Sequence, residues 1–526
     1  MSARRHRLAR RYRLARRSLA VPPQLLLAAA AVLLLAAGAY AQQAAPAAPQ
    51  GAPPPAPKTF VIVGADVADG SGGPLFKANV RVVGDRIGRV GDFQPDAGEQ
   101  VIDGKGLVLA PGFIDTHNHS ERGLETDPLA ETQISQGLTT LLLGQDGGSP
   151  WPVGEWLAKE RQNPPSLNVL MLAGHATIRH KVMGEDYKRP ATPEEVAQMV
   201  TLVDQAMREG AVGLSSGLEY VVGSYATTEE VIAMARATAR YGGFYISHIR
   251  DEADKSFDAM REILRIGREA GVPVQNTHIK LGTVGVWNRA AEVVAMYESA
   301  RAHGQDVTAD CYPYDAWHSN FKVLVPNKQW EDPASVSKAI ADVGGPQNLL
   351  ITSVEAHHDY EGHSVEEAAK IKGVTPAELV IQIIKDGDGG VIGKSMIEPD
   401  IREFYAQPWV MVSSDGGIGM KHPRGAGTYP RVLGRFVREW HWMTLPEAIR
   451  RMTSLPAWRL RLMDRGYVRE AMVADLVLFN PNTVIDRSTF ADPQKLSDGI
   501  EKVFVSGTLV WDHDHATGAR PGRVLP

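Results

Sequence analysis

From Pro111 onward, short apolar runs alternate with longer stretches whose apolar positions recur every three or four residues. The short runs are Gly112-His117, Thr139-Gly144, Asn168-Ala173, Ala211-Ser215, Gly243-His248, Pro273-His278, Asp306-Cys311 and Trp409-Ser414. Pro193 to Arg208, Thr228 to Tyr241 and Asp254 to Ala270 carry the helical period between them. Strands alternating with helices predict βα units and a parallel sheet. Eight strands are the number that closes a barrel. The gap from Ala316 to Gln407 exceeds one crossover and predicts an inserted subdomain. Upstream, Phe60 to Val67, Ala78 to Val83, Arg86 to Gly91 and Gln100 to Asp103 are β-branched runs broken by Gly and Asp, the pattern of a small antiparallel sheet. After a predicted helix from Leu445 to Leu462, strands return at Asp475 to Asn480, Ile500 to Val505 and Thr508 to Asp512. The expected organisation is an α/β barrel over 111–465, with an insertion at about 316–407, beside one β-domain built from 59–110 and 466–526.

The first 58 residues do not follow this pattern. Arg4 to Arg17 is strongly basic, Leu25 to Ala37 is apolar, and Ala39-Tyr40-Ala41 is a small-x-small cleavage site. Residues 1–41 therefore read as a signal peptide, and the protein is expected to be exported, periplasmic or secreted. The apolar run is shorter than the ~20 residues a bilayer span needs, so no stable span is expected after cleavage. Residues 42–58 are rich in Ala, Pro and Gln and read as a linker. The remainder has ordinary soluble composition, 44% apolar and 22% charged. A net charge of −5, with no basic stripe beyond the N-terminus, points away from nucleic acid. The single cysteine, Cys311, cannot form an internal disulfide.

In a closed parallel barrel, functional residues gather at the C-terminal ends of the strands. Those ends carry His117 and His119, then Asp146, His175, His248, His278 with Lys280, Tyr312 to Tyr314, and Asp415. On a strand, His117 and His119 share a face, about 7 Å apart at a rise of ~3.3 Å per residue. Imidazoles with carboxylates suit Zn²⁺, with Mn²⁺ or Fe²⁺ as other divalent choices. A metal there would lower the pKa of a bound water to near ~7 and polarise a carbonyl. Asp415, last in the barrel, is the candidate general base.

Pro111 to His119 resembles the strand-one signature of the amidohydrolase superfamily. Gly213 to Tyr220, His248 to Glu252, Pro273 to Lys280, Tyr312 to Tyr314, Ser414 to Gly416, His422 to Arg431 and Gly518 to Leu525 resemble the N-acyl-D-amino-acid deacylases, or D-aminoacylases. The resemblance implies a (β/α)₈ TIM-like barrel with a small β-sandwich. It also implies zinc-assisted hydrolysis of an N-acyl-D-amino acid, a small-molecule substrate. His117, His119 and Asp415 then match one metal cluster, and His248 and His278 a second. Lys280, Tyr314 and Arg424 match groups near the substrate carboxylate, and Lys with Arg makes a sound carboxylate clamp. Tyr220 and His175 are further candidates for the pocket. Members of the family carry a ligand cysteine in a Gly-Asn-Cys-Gly stretch after strand two. Here Gln145-Asp146 stands in that stretch, so Asp146 is read as the replacement ligand, with one or two ions.

Each assignment has a plainer rival. Asp146 could hold a water, Lys280 could form a structural ion pair, Arg424 could lie in an exposed loop, and Tyr314 and His175 could be packing residues. Two other functions stay open at this level: hydrolysis of a cyclic amide (hydantoinase- or dihydroorotase-like) or a dipeptide, and a non-catalytic binding protein that keeps the pocket.

Overall fold

The computed structural model describes residues 58–526, so the expected signal peptide and all but the last residue of the expected linker lie outside the described residues. No helix among the described residues is long and apolar enough to cross a membrane.

All eight expected barrel strands form. Phe113–Asp115 pairs in parallel with Leu138–Leu143, which pairs with Asn168–Met171. The third strand breaks at Leu172 and resumes as Ala173–Gly174. Parallel pairing then runs through Gly213–Gly217, Phe244–His248, Val274–Asn276, Val307–Cys311 and Val410–Val412. The ring closes between the last strand and the first through a parallel bridge from Asn118 to Gly416. Two backbone bonds flank it, Asp415 N–H to His117 O at 3.0 Å and His119 N–H to Gly416 O at 2.7 Å.

The interior is layered. At one end Ile114, Leu142, Leu170, Leu172, Phe244 and Ile246 form one apolar cluster with Leu460, Leu462 and Leu525. The tail is thus part of the barrel core, and the Leu525 N–H donates to Val169 O at 2.9 Å. Above lies a polar layer, where Gln275 Nε2 donates across the barrel to Thr116 Oγ1 at 3.1 Å and to Asp310 Oδ2 at 2.6 Å. The apolar layer excludes water from below, and the polar layer presents fixed donors and acceptors to whatever sits above.

The expected helix from Leu445 to Leu462 is two helices, Leu445–Met452 and Ser454–Arg459, broken at Thr453 (φ −133°, ψ −82°). Pro456 explains the break: it has no N–H for the carbonyl four residues earlier, and its ring collides with that carbonyl. Pro193–Glu209 forms as expected, started by a capping box between Thr192 and Glu195.

The N- and C-terminal strands join in one nine-stranded sheet. It forks at Thr59–Val67, which pairs with Gln100–Asp103 through one half and Val108–Pro111 through the other. The two arms face each other over a shared core in which Phe60 stacks on Phe504, ring centroids 4.9 Å apart. This is the small β-sandwich. Within the insertion, Ala316–Asn320, Leu349–Ser353 and Gly390–Lys394 form an antiparallel sheet with its own core around Phe321, Ile351, Leu379 and Ile383. The helix Glu398–Ala406 that follows belongs with the barrel: its Asp400 accepts from the N–H groups of Asn288 and Ala290, at 2.8 and 3.1 Å, beside the start of helix Ala290–Ala302.

Candidate active site

The strand ends deliver their histidines and acids to one place. His117 and His119 lie just beyond the first strand, on either side of the bridging Asn118, so the chain stays extended and their rings point the same way. Their Nε2 atoms are 3.3 Å apart. Asp115 secures this segment. Its carboxylate accepts from Asn118 Nδ2 at 3.0 Å, the Ser414 N–H at 3.1 Å, the His117 N–H at 3.2 Å and the Ser414 hydroxyl. One buried acid thus ties the first strand end to the last.

Three site residues adopt positive φ without being glycine: Asp146 (55°), His278 (34°) and Asp415 (46°). Such backbones cost on the order of 1–3 kcal/mol each and persist only where the surroundings impose them. At His278 the imposing group is Asp310, which accepts its N–H at 2.8 Å. This turn ends the sixth strand at Asn276, earlier than the apolar pattern predicts, and directs the imidazole inward.

The separations between ligand atoms have one length scale. His117 Nε2 is 3.5 Å from Asp146 Oδ1 and 3.4 Å from Asp415 Oδ1. His119 Nε2 is 3.6 Å from Asp146 Oδ2 and 3.3 Å from Asp415 Oδ1. Four donors at about 2.0–2.1 Å from a tetrahedral ion sit about 3.3–3.4 Å from one another. Asp146 also faces a second group, where His248 Nδ1 is 3.1 Å from His278 Nε2. Asp146 Oδ1 is buried and makes no hydrogen bond, as does His117 Nδ1. The donor set, its spacing and the orphaned carboxylate oxygen all fit a divalent metal, with Asp146 between two positions.

The electrostatics agree. Burial opposes charge on Asp415, yet Arg424, then His278 and His117, outweigh it and hold the carboxyl well below its usual range. Burial likewise opposes charge on His119, but Asp415 and Asp146 raise it to about 9. Carboxylates that hold protons this firmly on imidazoles offer the same field to a metal cation.

Around this cluster stand residues that sequence reasoning reached and others that it missed. The Tyr220 hydroxyl is 3.2 Å from His248 Nδ1 and 3.5 Å from Asp146 Oδ2. Arg424 opens helix Arg424–Arg431, is 2% exposed, and puts Nη1 2.8 Å from Asp415 Oδ2. Its Nε and Nη1 are buried without a hydrogen bond. His422 is fully buried and holds this segment: the Arg424 N–H donates to its Nδ1 at 3.0 Å, which leaves Nε2 to donate to Ala316 O at 3.1 Å. Lys280 reaches both oxygens of Glu252, at 2.6 and 2.7 Å, and His278 Nδ1 at 2.7 Å. It is therefore ion-paired rather than free. Glu219 accepts from His248 Nε2 at 2.8 Å. The signal for the two glutamates was present, Glu252 four residues beyond His248 and Glu219 just beyond strand four, but no spacing argument selects them.

Two expected pocket residues are corrected. His175 is fully buried against Glu230, Nε2 to Oε1 3.0 Å, in a network with Arg179, and does not line the cleft. It opens the helix His175–Met183, whose packing turns the ring away from the barrel mouth. Tyr314 packs edge-on against His422 and donates to Pro423 O at 3.3 Å, and it too lies outside the cleft. Tyr220 is the tyrosine that lines the cleft, while Tyr312 backs its cations, its ring 4.8 Å from Arg424 Cζ and 5.7 Å from Lys280 Nζ.

A family model described as the amidohydrolase family matches residues 100–511. The chain belongs to the amidohydrolase family. It is 34% identical to a D-aminoacylase of Alcaligenes xylosoxydans xylosoxydans, over 89% of this chain and 98% of that protein. It is 35% identical to an N-acyl-D-aspartate deacylase of the same organism, over 89% and 95%. Among solved structures, an N-acyl-D-glutamate deacylase from Bordetella bronchiseptica, complexed with zinc and a phosphonate mimic of the tetrahedral intermediate, superposes with a TM-score of 0.80 at 32% identity, over 89% of this chain and 99% of that one.

Proposed function

We propose that this amidohydrolase cleaves the amide bond of N-acyl-D-amino acids, giving a carboxylate and a free D-amino acid, with a divalent metal held by His117, His119, Asp146, His248, His278 and Asp415. The observation that carries the reading is the convergence of these six side chains, from five strand ends, in two groups that share Asp146, with ligand atoms within 4.8 Å of one another in each. Imidazole and carboxylate donors in this geometry favour zinc, as one ion or two. When bound, the metal polarises the acyl carbonyl and lowers the pKa of a water to near ~7.

The chain's own groups do the rest. Asp415 takes a proton from the attacking water and passes it to the amide nitrogen. The water oxygen joins the acyl carbon, the carbon–nitrogen bond breaks, and the amine leaves with the proton. Arg424, whose Nη1 is ion-paired with Asp415 and whose Nε is buried without a partner, receives the substrate carboxylate. Lys280 lines the same cleft but is neutralised by Glu252, so it supports the clamp and Arg424 carries it. Tyr220 stays protonated, because burial and then Asp146 push its pKa well up, and it offers a donor beside His248. The basic, apolar and small-residue succession of the first 41 residues supports export. N-terminal sequencing of the exported protein should then begin at Gln42.

The function is tested with a panel of N-acetyl-D-amino acids, N-acetyl-L-amino acids, hydantoins and dipeptides on metal-analysed enzyme. The D series should exceed every other class by at least about 100-fold in kcat/KM. Turnover confined to hydantoins or dipeptides overturns the reading.

A further inference from the structure

We propose, resting on the function above, that the substrate's side chain lies against the inserted subdomain, and that this subsite takes an uncharged apolar side chain and turns away aspartate- and glutamate-type substrates. The relatives divide on this point: D-aminoacylase, D-aspartate and D-glutamate deacylases stand at 34, 35 and 32% identity, so similarity does not choose among them. The pocket does.

The cleft that contains Asp415 and Arg424 is also lined by the insertion, mostly with apolar groups: Trp317, Val323, Leu324, Pro326 and Val343, with His318 and Ser319 as its polar members. Leu324 and Val343 belong to the insertion's own core, 5% and 4% exposed, so this part of the lining is rigid as well as apolar. An acidic side chain would need a cation here, and each cation of the lining is already engaged. Both oxygens of Glu252 hold Lys280, and Asp415 holds Arg424, which is also the anchor for the α-carboxylate. The neighbouring lysines lie outside this cleft: Lys322 is 3.9 Å from Asp388, and Lys328 sits 4.1 Å over the Tyr225 ring. The same cleft presents Glu219 and Glu252. A second substrate carboxylate would lose water and meet apolar carbon with no unpaired cation to receive it. An apolar side chain loses nothing polar and gains burial of its surface away from water.

The experiment measures kcat/KM for N-acetyl-D-leucine, -methionine and -phenylalanine against N-acetyl-D-aspartate and -glutamate, on wild type and on Val323→Arg. Val323 is only half-buried and sits in a turn, so the substitution leaves the barrel untouched; melting and bound metal verify this. Wild type should favour the apolar set by at least about 100-fold. Val323→Arg should shift the glutamate-to-leucine ratio upward by at least about tenfold, since it supplies the missing cation. Wild type that prefers the acidic substrates overturns the proposal while leaving the deacylase reading intact, as does an unchanged ratio in folded, metal-loaded Val323→Arg. Metal-loaded enzyme inert toward every N-acyl-D-amino acid overturns both.

Discussion

Asp415 and Arg424 form an ion pair inside the cleft, Oδ2 to Nη1 2.8 Å, while the other carboxylate oxygen of Asp415 faces His119 and His117 at 3.3 and 3.4 Å. One acid is thus shared between Arg424, the proposed anchor for the substrate, and the histidine cluster. The pairing fixes the carboxylate's orientation and keeps it ionised. On the proposed mechanism it would also couple binding to chemistry, because substrate that recruits Arg424 would loosen its hold on Asp415 and make the base more basic.

Asp415→Asn preserves the shape and one oxygen facing the imidazoles but removes the basicity. Its kcat should fall by about 10²–10⁴-fold, the range that general-base catalysis contributes. Bound metal, measured by elemental analysis, should be retained, because the imidazoles and Asp146 remain. Retained turnover removes Asp415 from the mechanism.

Asp146, read from the sequence as standing where the resembled family carries a cysteine, is a hard, charged ligand group. Its Oδ1 is buried without a hydrogen bond, and its two oxygens face His117 and His119. Asp146→Ala should therefore weaken metal binding, by at least the 10- to 100-fold typical of losing even an outer partner. A chelator-competition titration reads this directly. Affinity equal to wild type would mean that Asp146 serves as a hydrogen-bonding group only.

The barrel and the metal cluster were legible in the sequence because both are periodic signals. Strand alternation marks the βα units, and a histidine or acid falls where six of the eight apolar runs stop. What escaped was anything depending on how loops fold back. His175 stands at a strand end like the others, yet a helix begins on it and turns it toward Glu230. Tyr312 and Tyr314 are two residues apart, and only the loop's path decides that Tyr312 meets Arg424. Lys280 still meets His278, with which the sequence groups it at one strand end, although the strand stops at Asn276 and His278 sits in a left-handed turn. Pro456, whose effect on a helix is local, was readable in principle and was outweighed by the apolar pattern around it.

Lys280 and Glu252 are a buried two-pronged pair, with side chains 5% and 16% exposed. Taking away one partner leaves the other charge without compensation. Lys280→Met should lower unfolding free energy by about 3–5 kcal/mol, the usual cost of breaking a buried pair. Lys280→Met with Glu252→Gln should recover part of that loss, because no lone charge remains. Denaturant titration of both single variants and the double variant gives the coupling. Additive losses would show that Lys280 was held for the substrate rather than for Glu252.

The buried network of Glu230, His175 and Arg179 fixes the sign of a pH effect away from the metal cluster. Burial opposes charge on Glu230, but the bonds and charges of His175 and Arg179 outweigh it and hold its pKa below the ordinary carboxylate value. Unfolded, the same group titrates near ~4.3. The unfolded chain therefore binds the proton first as pH falls, and stability from this group is complete above ~4.3 and is lost as pH drops through the lower folded value. Wild type and Glu230→Gln, compared by melting temperature, should differ most near neutral pH, with the wild type more stable. The gap should narrow steadily on acidification below ~4.3 as the wild-type carboxylate takes up its proton. A gap independent of pH between neutrality and strong acid would mean that shape, and not the charge on Glu230, is what His175 and Arg179 require.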